Sequence, residues 1–123
     1  MTQPVPFVSS WTLEDGLACV RALECQLSAA LGVHFALAGG VMLRGESEHD
    51  LDVVVYPRCS RAGVDTQLLR FALRGLGWSI RVRAVDTIEQ WQKRGSADRK
   101  HVDIWATPER KRVDIIVPSV TVL

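Results

Sequence analysis

Cysteine is scarce in this sequence and is not spaced for a metal site or a disulfide framework. The chain contains three cysteines, Cys19, Cys25 and Cys59. This is an odd number without a CxxC pair, which excludes a zinc ribbon and a disulfide-stapled miniprotein. Internal repeats and low-complexity segments are also absent. With 47% apolar and 24% charged residues, the composition excludes an intrinsically disordered chain.

Long hydrophobic runs are missing as well. No apolar run approaches the ~18 residues that a membrane-spanning helix requires. The N-terminal residues MTQPVPFVSSW lack the basic start and long apolar stretch of a secretory signal. We therefore expect a cytoplasmic protein that has no membrane partner. The length of 123 residues predicts a single domain over residues 1–123, which can bury roughly two-thirds of the unfolded surface.

The net charge of +1 hides a separation of charge along the chain. Residues 1–60 contain three Arg or Lys and seven Asp or Glu, a net charge of −4. Residues 61–123 contain twelve Arg or Lys and seven Asp or Glu, a net charge of +5. An acidic half beside a basic half can hold a cation and a phosphate-bearing ligand, although such runs often serve only solvation.

Hydrophobic spacing predicts alternating helices and strands. A helix is predicted from Leu13 to Leu31, with Thr12 as its N-cap and Gly32 as its stop. The other predicted elements are a strand over 33–38, a helical turn over 41–44, a polar loop over 45–49, a strand over 50–56, a helix over 64–75, a strand over 78–84, a short helix over 88–93, and a hairpin of strands over 101–107 and 112–118. The predicted fold class is α/β or α+β, with one sheet flanked by helices.

The residues that carry chemistry lie around the predicted strand over 50–56. Because successive strand side chains point to opposite faces, Asp50 and Asp52 share a face, roughly 6–7 Å apart. Two such carboxylates repel each other unless a cation compensates, and Mg²⁺ prefers oxygen ligands. Gly39 and Gly40 end the preceding strand and allow an anion to approach the backbone closely. Alone, a diglycine usually marks a tight turn and a DxD a solvated strand end. Their order, with nine residues between them, favours a functional site.

This combined pattern resembles the nucleotidyltransferase superfamily, which includes DNA polymerase beta, CCA-adding enzymes and small bacterial minimal nucleotidyltransferases. The signature of that superfamily is a diglycine or Gly-Ser after a strand, a short spacer, a DxD on the next strand, and a third carboxylate on a later strand. The resemblance implies a nucleotidyltransferase-like mixed sheet, with Asp50 and Asp52 as ligands of two Mg²⁺ ions. It also implies that Gly39 and Gly40 contact the triphosphate of an NTP. Arg44 is the candidate for a further phosphate contact, and a solvent-exposed loop arginine is the alternative interpretation.

The third carboxylate has two candidates, one on each strand of the predicted terminal hairpin. Asp103 and Asp114 both stand between apolar residues, as the superfamily pattern requires. Small members tend to carry this residue on the outgoing strand, followed by an apolar run and a proline, which favours Asp114 as the third metal ligand. Asp103 stays the second candidate, and either one can also be an aspartate on the solvent face of an amphipathic strand.

The resemblance implies an enzyme that moves a nucleoside monophosphate from an NTP to a hydroxyl group and releases pyrophosphate. The acceptor can be a small molecule, a protein or an RNA, and a homodimer or a partner protein is expected to complete so small a site. No Asp directly follows Arg44, and we expect no second domain that grips tRNA, which argues against tRNA end repair. The alternatives are a non-catalytic module that binds a nucleotide or a partner protein, as in toxin–antitoxin pairs, and a purely structural domain.

Overall fold

A computed structural model describes residues 6–7, 10–59, 63–84 and 100–118 of the chain. The predicted helix over 88–93 lies outside these residues. Among the described residues there are three helices, α1 (Leu13–Leu31), α2 (Gly39–Arg44) and α3 (Thr66–Gly75). The strands are β1 (Trp11–Thr12), β2 (Val33–Ala38), β3 (Glu46–Ser47), β4 (Asp50–Pro57), β5 (Ser79–Val82), β6 (Lys100–Ala106) and β7 (Arg112–Pro118).

Five strands form one mixed sheet in the order β2-β4-β7-β6-β5. The central pair β4 and β7 is parallel, while the other neighbours are antiparallel. The parallel pairing brings the N-terminal ends of β4 and β7 to the same edge of the sheet. The domain therefore belongs to the mixed α+β class, as the alternation of predicted elements indicated.

The sheet buries one face beneath helices α1 and α3. On β4, the side chains of Leu51, Val53 and Val55 are fully buried, and they share the hydrophobic core with leucines from both helices. The intervening residues of β4 point to the opposite face of the sheet, because side chains alternate along a strand. This opposite face, which includes the side chains of Asp50 and Asp52, is called the open face below.

Helix α1 has the predicted bounds, and its caps explain them. The Thr12 hydroxyl accepts a hydrogen bond from the Asp15 N–H at 3.1 Å, and Gly32 ends the helix in the left-handed conformation with φ of 65°. In the middle, a Cβ atom added at Gly16 would lie 2.9 Å from Leu51. The glycine thus lets α1 pack directly against the start of β4. Within the described residues, no helix combines the length and apolarity that crossing a membrane requires.

The free side of the edge strand β2 is partly occupied by side chains of α1. The Glu24 carboxylate accepts a hydrogen bond from the Phe35 N–H, and the Ser28 hydroxyl donates one to the Val33 carbonyl. Both groups point away from β4, so they would otherwise lack a strand partner. Helix α1 therefore contributes hydrogen bonds to the sheet as well as apolar contacts.

Several predicted boundaries are corrected by the structure. The helix predicted over 64–75 begins at Thr66, because the Asp65 carboxylate caps it by accepting a hydrogen bond from the Leu68 N–H. Helix α2 begins at Gly39 instead of residue 41. The strand predicted over 78–84 is shortened to β5, where the pairing with β6 is irregular after Ile80. These differences arise from capping and strand pairing, which hydrophobic spacing does not encode.

The polar loop predicted over 45–49 contains a strand that the sequence did not reveal. Strand β3 pairs antiparallel with β1, with Trp11 opposite Ser47 and Thr12 opposite Glu46. The Trp11 indole N–H also donates a hydrogen bond to the Arg112 carbonyl at 2.8 Å. The short β1–β3 ribbon therefore links the segment before α1 to the beginnings of both β4 and β7.

Candidate active site

Three carboxylates converge on the open face where β4 and β7 begin. Asp52 and Asp114 are direct partners in the parallel pairing, and Asp50 lies two residues before Asp52 on the same face. One carboxylate oxygen from each of the three residues lies within 4.8 Å of the others. The structure therefore brings together the three residues predicted as metal ligands. They are called the carboxylate cluster below.

Asp103, the second candidate for the third carboxylate, lies on the other face of the sheet. Its partner across the hairpin is Ile115, which belongs to the buried core. The Asp103 carboxylate accepts hydrogen bonds from Arg70 Nε at 2.8 Å and Nη2 at 2.9 Å, and from the Ala84 N–H at 2.7 Å. It therefore ties α3 to the sheet and does not reach the carboxylate cluster.

Burial and repulsion make ionisation unfavourable for two residues of the carboxylate cluster, Asp52 and Asp114. The pKa of Asp52 is raised from 3.8 to about 7, mainly by burial and then by the negative charges of Asp50 and Asp114. Burial also raises the pKa of Asp114, although its hydrogen bonds to Arg112 act in the opposite direction. Carboxylates in such surroundings favour a bound proton or a bound cation. The cluster thus concentrates acidic groups at one place on the open face.

Arg112 supplies positive charge to the carboxylate cluster, and the sequence analysis did not identify it. Its Nε lies 2.9 Å from one Asp114 oxygen and its Nη2 lies 3.1 Å from the other. Arg112 is also the strand partner of Asp50. In the sequence it is the last residue of the basic run Arg110-Lys111-Arg112. The usable signal was the Arg-x-Asp spacing on a predicted strand, because residues two apart on a strand share a face.

Each of the two glycines Gly39 and Gly40 lies against a different charged side chain. Gly39 has φ of 67°, and a Cβ atom there would overlap the Asp52 carboxylate, with Asp52 Cγ only 2.7 Å away. A Cβ atom at Gly40 would overlap the Arg44 guanidinium, with Cζ 3.2 Å away. Side chains at these two positions would therefore displace Asp52 and Arg44. Of the three residues predicted as triphosphate contacts, Gly39 lies against the cluster, while Gly40 lies against Arg44.

Ser47 organises the start of β4. Its hydroxyl oxygen accepts a hydrogen bond from the Asp50 N–H at 3.3 Å and lies 3.3 Å from the Asp50 carboxylate, to which it donates. Ser47 thus holds the loop that leads into β4. Because Ser47 is held by Trp11 in the β1–β3 ribbon, the orientation of Asp50 depends on that ribbon.

A cavity of about 430 Å³ lies apart from the carboxylate cluster, between α1, the segment around Trp78 and the turn at residues 107–111. None of the three clustered carboxylates lines it. Cys19 does, and burial raises the pKa of its thiol to about 12, so the thiol stays protonated. Trp11 forms part of the wall. The cavity therefore adjoins the ribbon that braces the carboxylate strands but offers no ligand to the cluster.

Comparison with known proteins identifies no relative: no family model, curated protein or solved structure matches this chain.

Proposed function

We propose that this protein is a Mg²⁺-dependent nucleotidyltransferase that moves a nucleoside monophosphate from an NTP to a hydroxyl acceptor. The observation that carries the proposal is the carboxylate cluster, three acids within 4.8 Å of one another on neighbouring strands. The supporting observation is the diglycine, of which Gly39 packs against Asp52. The order β2, diglycine, α2, β4 and then a partner strand with the third acid is also the order that the nucleotidyltransferase resemblance implies. The nucleotidyltransferase-like fold and a cytoplasmic location are also part of the proposal.

The donor atoms of the carboxylate cluster fit Mg²⁺. This ion binds oxygen ligands at ~2.0–2.1 Å in an octahedron, so opposite ligands lie about 4.2 Å apart. The observed spread of up to 4.8 Å is within reach of small side-chain rotations. Asp50, Asp52 and Asp114 would hold one ion, and Asp50 with Asp52 would hold the second. The raised pKa of Asp52 is consistent with this role, because a bound cation would offset the repulsion that causes it.

The chemistry that bound Mg²⁺ would supply is neutralisation of phosphate charge and activation of the acceptor hydroxyl. In the proposed reaction the acceptor oxygen forms a bond to the α-phosphorus. The bond between the α-phosphorus and the pyrophosphate oxygen breaks, pyrophosphate leaves, and the hydroxyl proton passes to water. Gly39 lets the backbone pass directly against the Asp52 carboxylate, and the backbone of Gly39 and Gly40 would contact the triphosphate. The Arg44 guanidinium, folded over Gly40, provides positive charge for the phosphates.

Isothermal titration calorimetry with each NTP, with and without Mg²⁺, tests the proposal. We expect binding that requires Mg²⁺ and is lost in Asp52→Asn. The matched control is Asp65→Asn, which removes the same charge at the N-cap of α3, far from the carboxylate cluster, and keeps a good capping residue. Incubation with labelled NTP and cell extract then identifies the acceptor. The absence of NTP binding, or binding that is equal in wild type and Asp52→Asn, would contradict the proposal.

A second candidate function is a non-catalytic module of the same kind that binds a nucleotide or a partner protein. One observation favours it. Arg112 engages both oxygens of Asp114, so part of the repulsion within the cluster is compensated without a metal ion. Such a module would bind nucleotide but transfer nothing to any acceptor. NTP binding that is independent of Mg²⁺, together with no labelled product from the extract, would support this second function.

A further inference from the structure

We infer that Arg112 is a built-in counter-ion that competes with divalent cations for the carboxylate cluster, so that removing its charge tightens cation binding. The inference rests on the proposed function, because it concerns the same carboxylates. It assigns Arg112 a role in setting how many cations the site holds before a nucleotide arrives.

The contacts of Arg112 are those of a counter-ion. Its guanidinium forms a two-pronged ion pair with Asp114, and it lies beside Asp50 in the parallel pairing of β4 and β7. Charge-assisted pairs of this geometry are among the stronger hydrogen bonds in proteins. The backbone of Arg112 is fixed as well, since its carbonyl accepts the hydrogen bond from the Trp11 indole at 2.8 Å. The positive charge is therefore held at the carboxylate cluster.

A count of formal charges shows how the positive charge of Arg112 affects the number of cations that the cluster holds. Three ionised carboxylates and one guanidinium carry a net charge of −2, which a single divalent cation neutralises. A second divalent cation would leave the site with an excess of +2 unless a polyphosphate brings negative charge. Without Arg112 the cluster would carry −3, and the first cation would bind more tightly. Arg112 thus limits the resting site to one cation and makes the second cation depend on the nucleotide.

The counter-ion role and a purely structural role of Arg112 predict opposite changes in cation affinity when the residue is removed. If Arg112 served only to orient Asp114 as a ligand, its loss would weaken cation binding, because a misplaced ligand costs affinity. If it acts as a competing charge, its loss strengthens cation binding. The direction of the change in affinity therefore separates the two roles without any measurement of activity.

The experiment is titration of the nucleotide-free protein with Mn²⁺ at pH 8.5, followed by calorimetry and by the electron paramagnetic resonance signal of free Mn²⁺. We expect one ion per wild-type chain and binding that is on the order of tenfold tighter in Arg112→Met. Arg112→Lys keeps the charge and should stay within about threefold of wild type, since the interaction is mainly coulombic. The matched control is Arg74→Met, which removes the same charge from an exposed position on α3.

The Arg112→Met substitution leaves Asp114 without its partner and can impair folding. A second pair of variants provides a test that does not have this weakness. Asp114→Asn is compared with the double variant Asp114→Asn/Arg112→Met, in which neither residue remains as an unpaired charge. The double variant should bind Mn²⁺ about tenfold more tightly than the single one, because the same positive charge has been removed.

The outcomes separate this inference from the proposed function. Equal or weaker Mn²⁺ binding after loss of Arg112, in both backgrounds, would overturn the counter-ion role while leaving the proposed function standing. Failure of the nucleotide-free wild-type protein to bind Mn²⁺ would overturn the counter-ion role, and the proposed function would fall with it where Mg²⁺-dependent NTP binding is absent too. Two ions bound by the nucleotide-free wild type would likewise overturn the counter-ion role.

Discussion

Replacing Asp52 by Asn should stabilise the metal-free protein at alkaline pH, even though it removes a candidate metal ligand. In the folded protein the pKa of Asp52 is about 7, against 3.8 in an unperturbed aspartate. Ionising this carboxylate therefore costs more in the folded state than in the unfolded state. An asparagine in the same place carries no charge and avoids that cost.

The size of the effect follows from the pKa difference of about three units. Each unit corresponds to about 1.4 kcal/mol of differential interaction, which gives an upper bound of about 4 kcal/mol. Asp52 is only half-buried, so solvent screening reduces this figure. We expect the Asp52→Asn substitution to raise the free energy of unfolding by about 1–2 kcal/mol at pH 8, where the wild-type carboxylate is ionised.

The pH dependence has a defined sign. A carboxyl group whose pKa is raised on folding contributes stability that is fully present below its unfolded pKa, near 4. That stability is lost as the pH rises through the folded pKa of about 7. The difference between wild type and Asp52→Asn should therefore be small near pH 4 and should grow up to about pH 8.

Thermal unfolding followed by circular dichroism in EDTA measures this difference. For a domain of this size, 1–2 kcal/mol corresponds to a rise in Tm of roughly 3–10 °C at pH 8. Asp65→Asn, which removes a carboxylate remote from the cluster, is the control. Excess Mg²⁺ should raise the Tm of wild type and leave that of Asp52→Asn unchanged. A lower Tm for Asp52→Asn at pH 8 in EDTA, or a difference that does not vary with pH, would refute this reasoning.

Two further substitutions probe the surroundings of the carboxylate cluster. Gly39→Ala should abolish Mg²⁺-dependent NTP binding and lower the free energy of unfolding by about 2 kcal/mol or more, since it combines a left-handed conformation with overlap on Asp52. The control is Gly32→Ala, because Gly32 has nearly the same φ but open space around it. It should lower the free energy of unfolding by about 1 kcal/mol and leave NTP binding intact. Equal losses of stability and of NTP binding in the two variants would argue against a steric conflict between residue 39 and Asp52. Asp103→Asn should destabilise the protein by about 3 kcal/mol in chemical denaturation, because Arg70 loses its partner in a largely buried pair. Its Mn²⁺ affinity should match wild type, and a weakened affinity would mean that the two faces of the sheet are coupled.

The elements that could be predicted are those whose signals are local. Helix α1 carries its own caps at Thr12 and Gly32, and β2 and β4 are apolar runs bounded by glycine, aspartate and proline. The placement of Asp50 and Asp52 on one face follows from strand alternation alone. None of these features depends on which strand becomes the neighbour of which.

The choice between Asp103 and Asp114 could not be made from local signals. Both residues have the same apolar neighbours in sequence, and the hairpin register places Ile104 opposite Asp114 and Ile115 opposite Asp103. The two aspartates must therefore point to opposite faces, and the packing of helices decides which face remains open. The β1–β3 ribbon could not be predicted either, because two-residue strands show no periodicity and the two strands are distant in sequence.

The contacts between α1 and the edge strand β2 have a consequence for how copies of this protein can associate. An unpaired strand edge is a template on which another chain can add a strand. Here Glu24 already occupies the Phe35 N–H and Ser28 the Val33 carbonyl, so an incoming strand would have to break both contacts and meet the side of a helix. A continuous sheet running from one molecule into the next through β2 is thereby disfavoured.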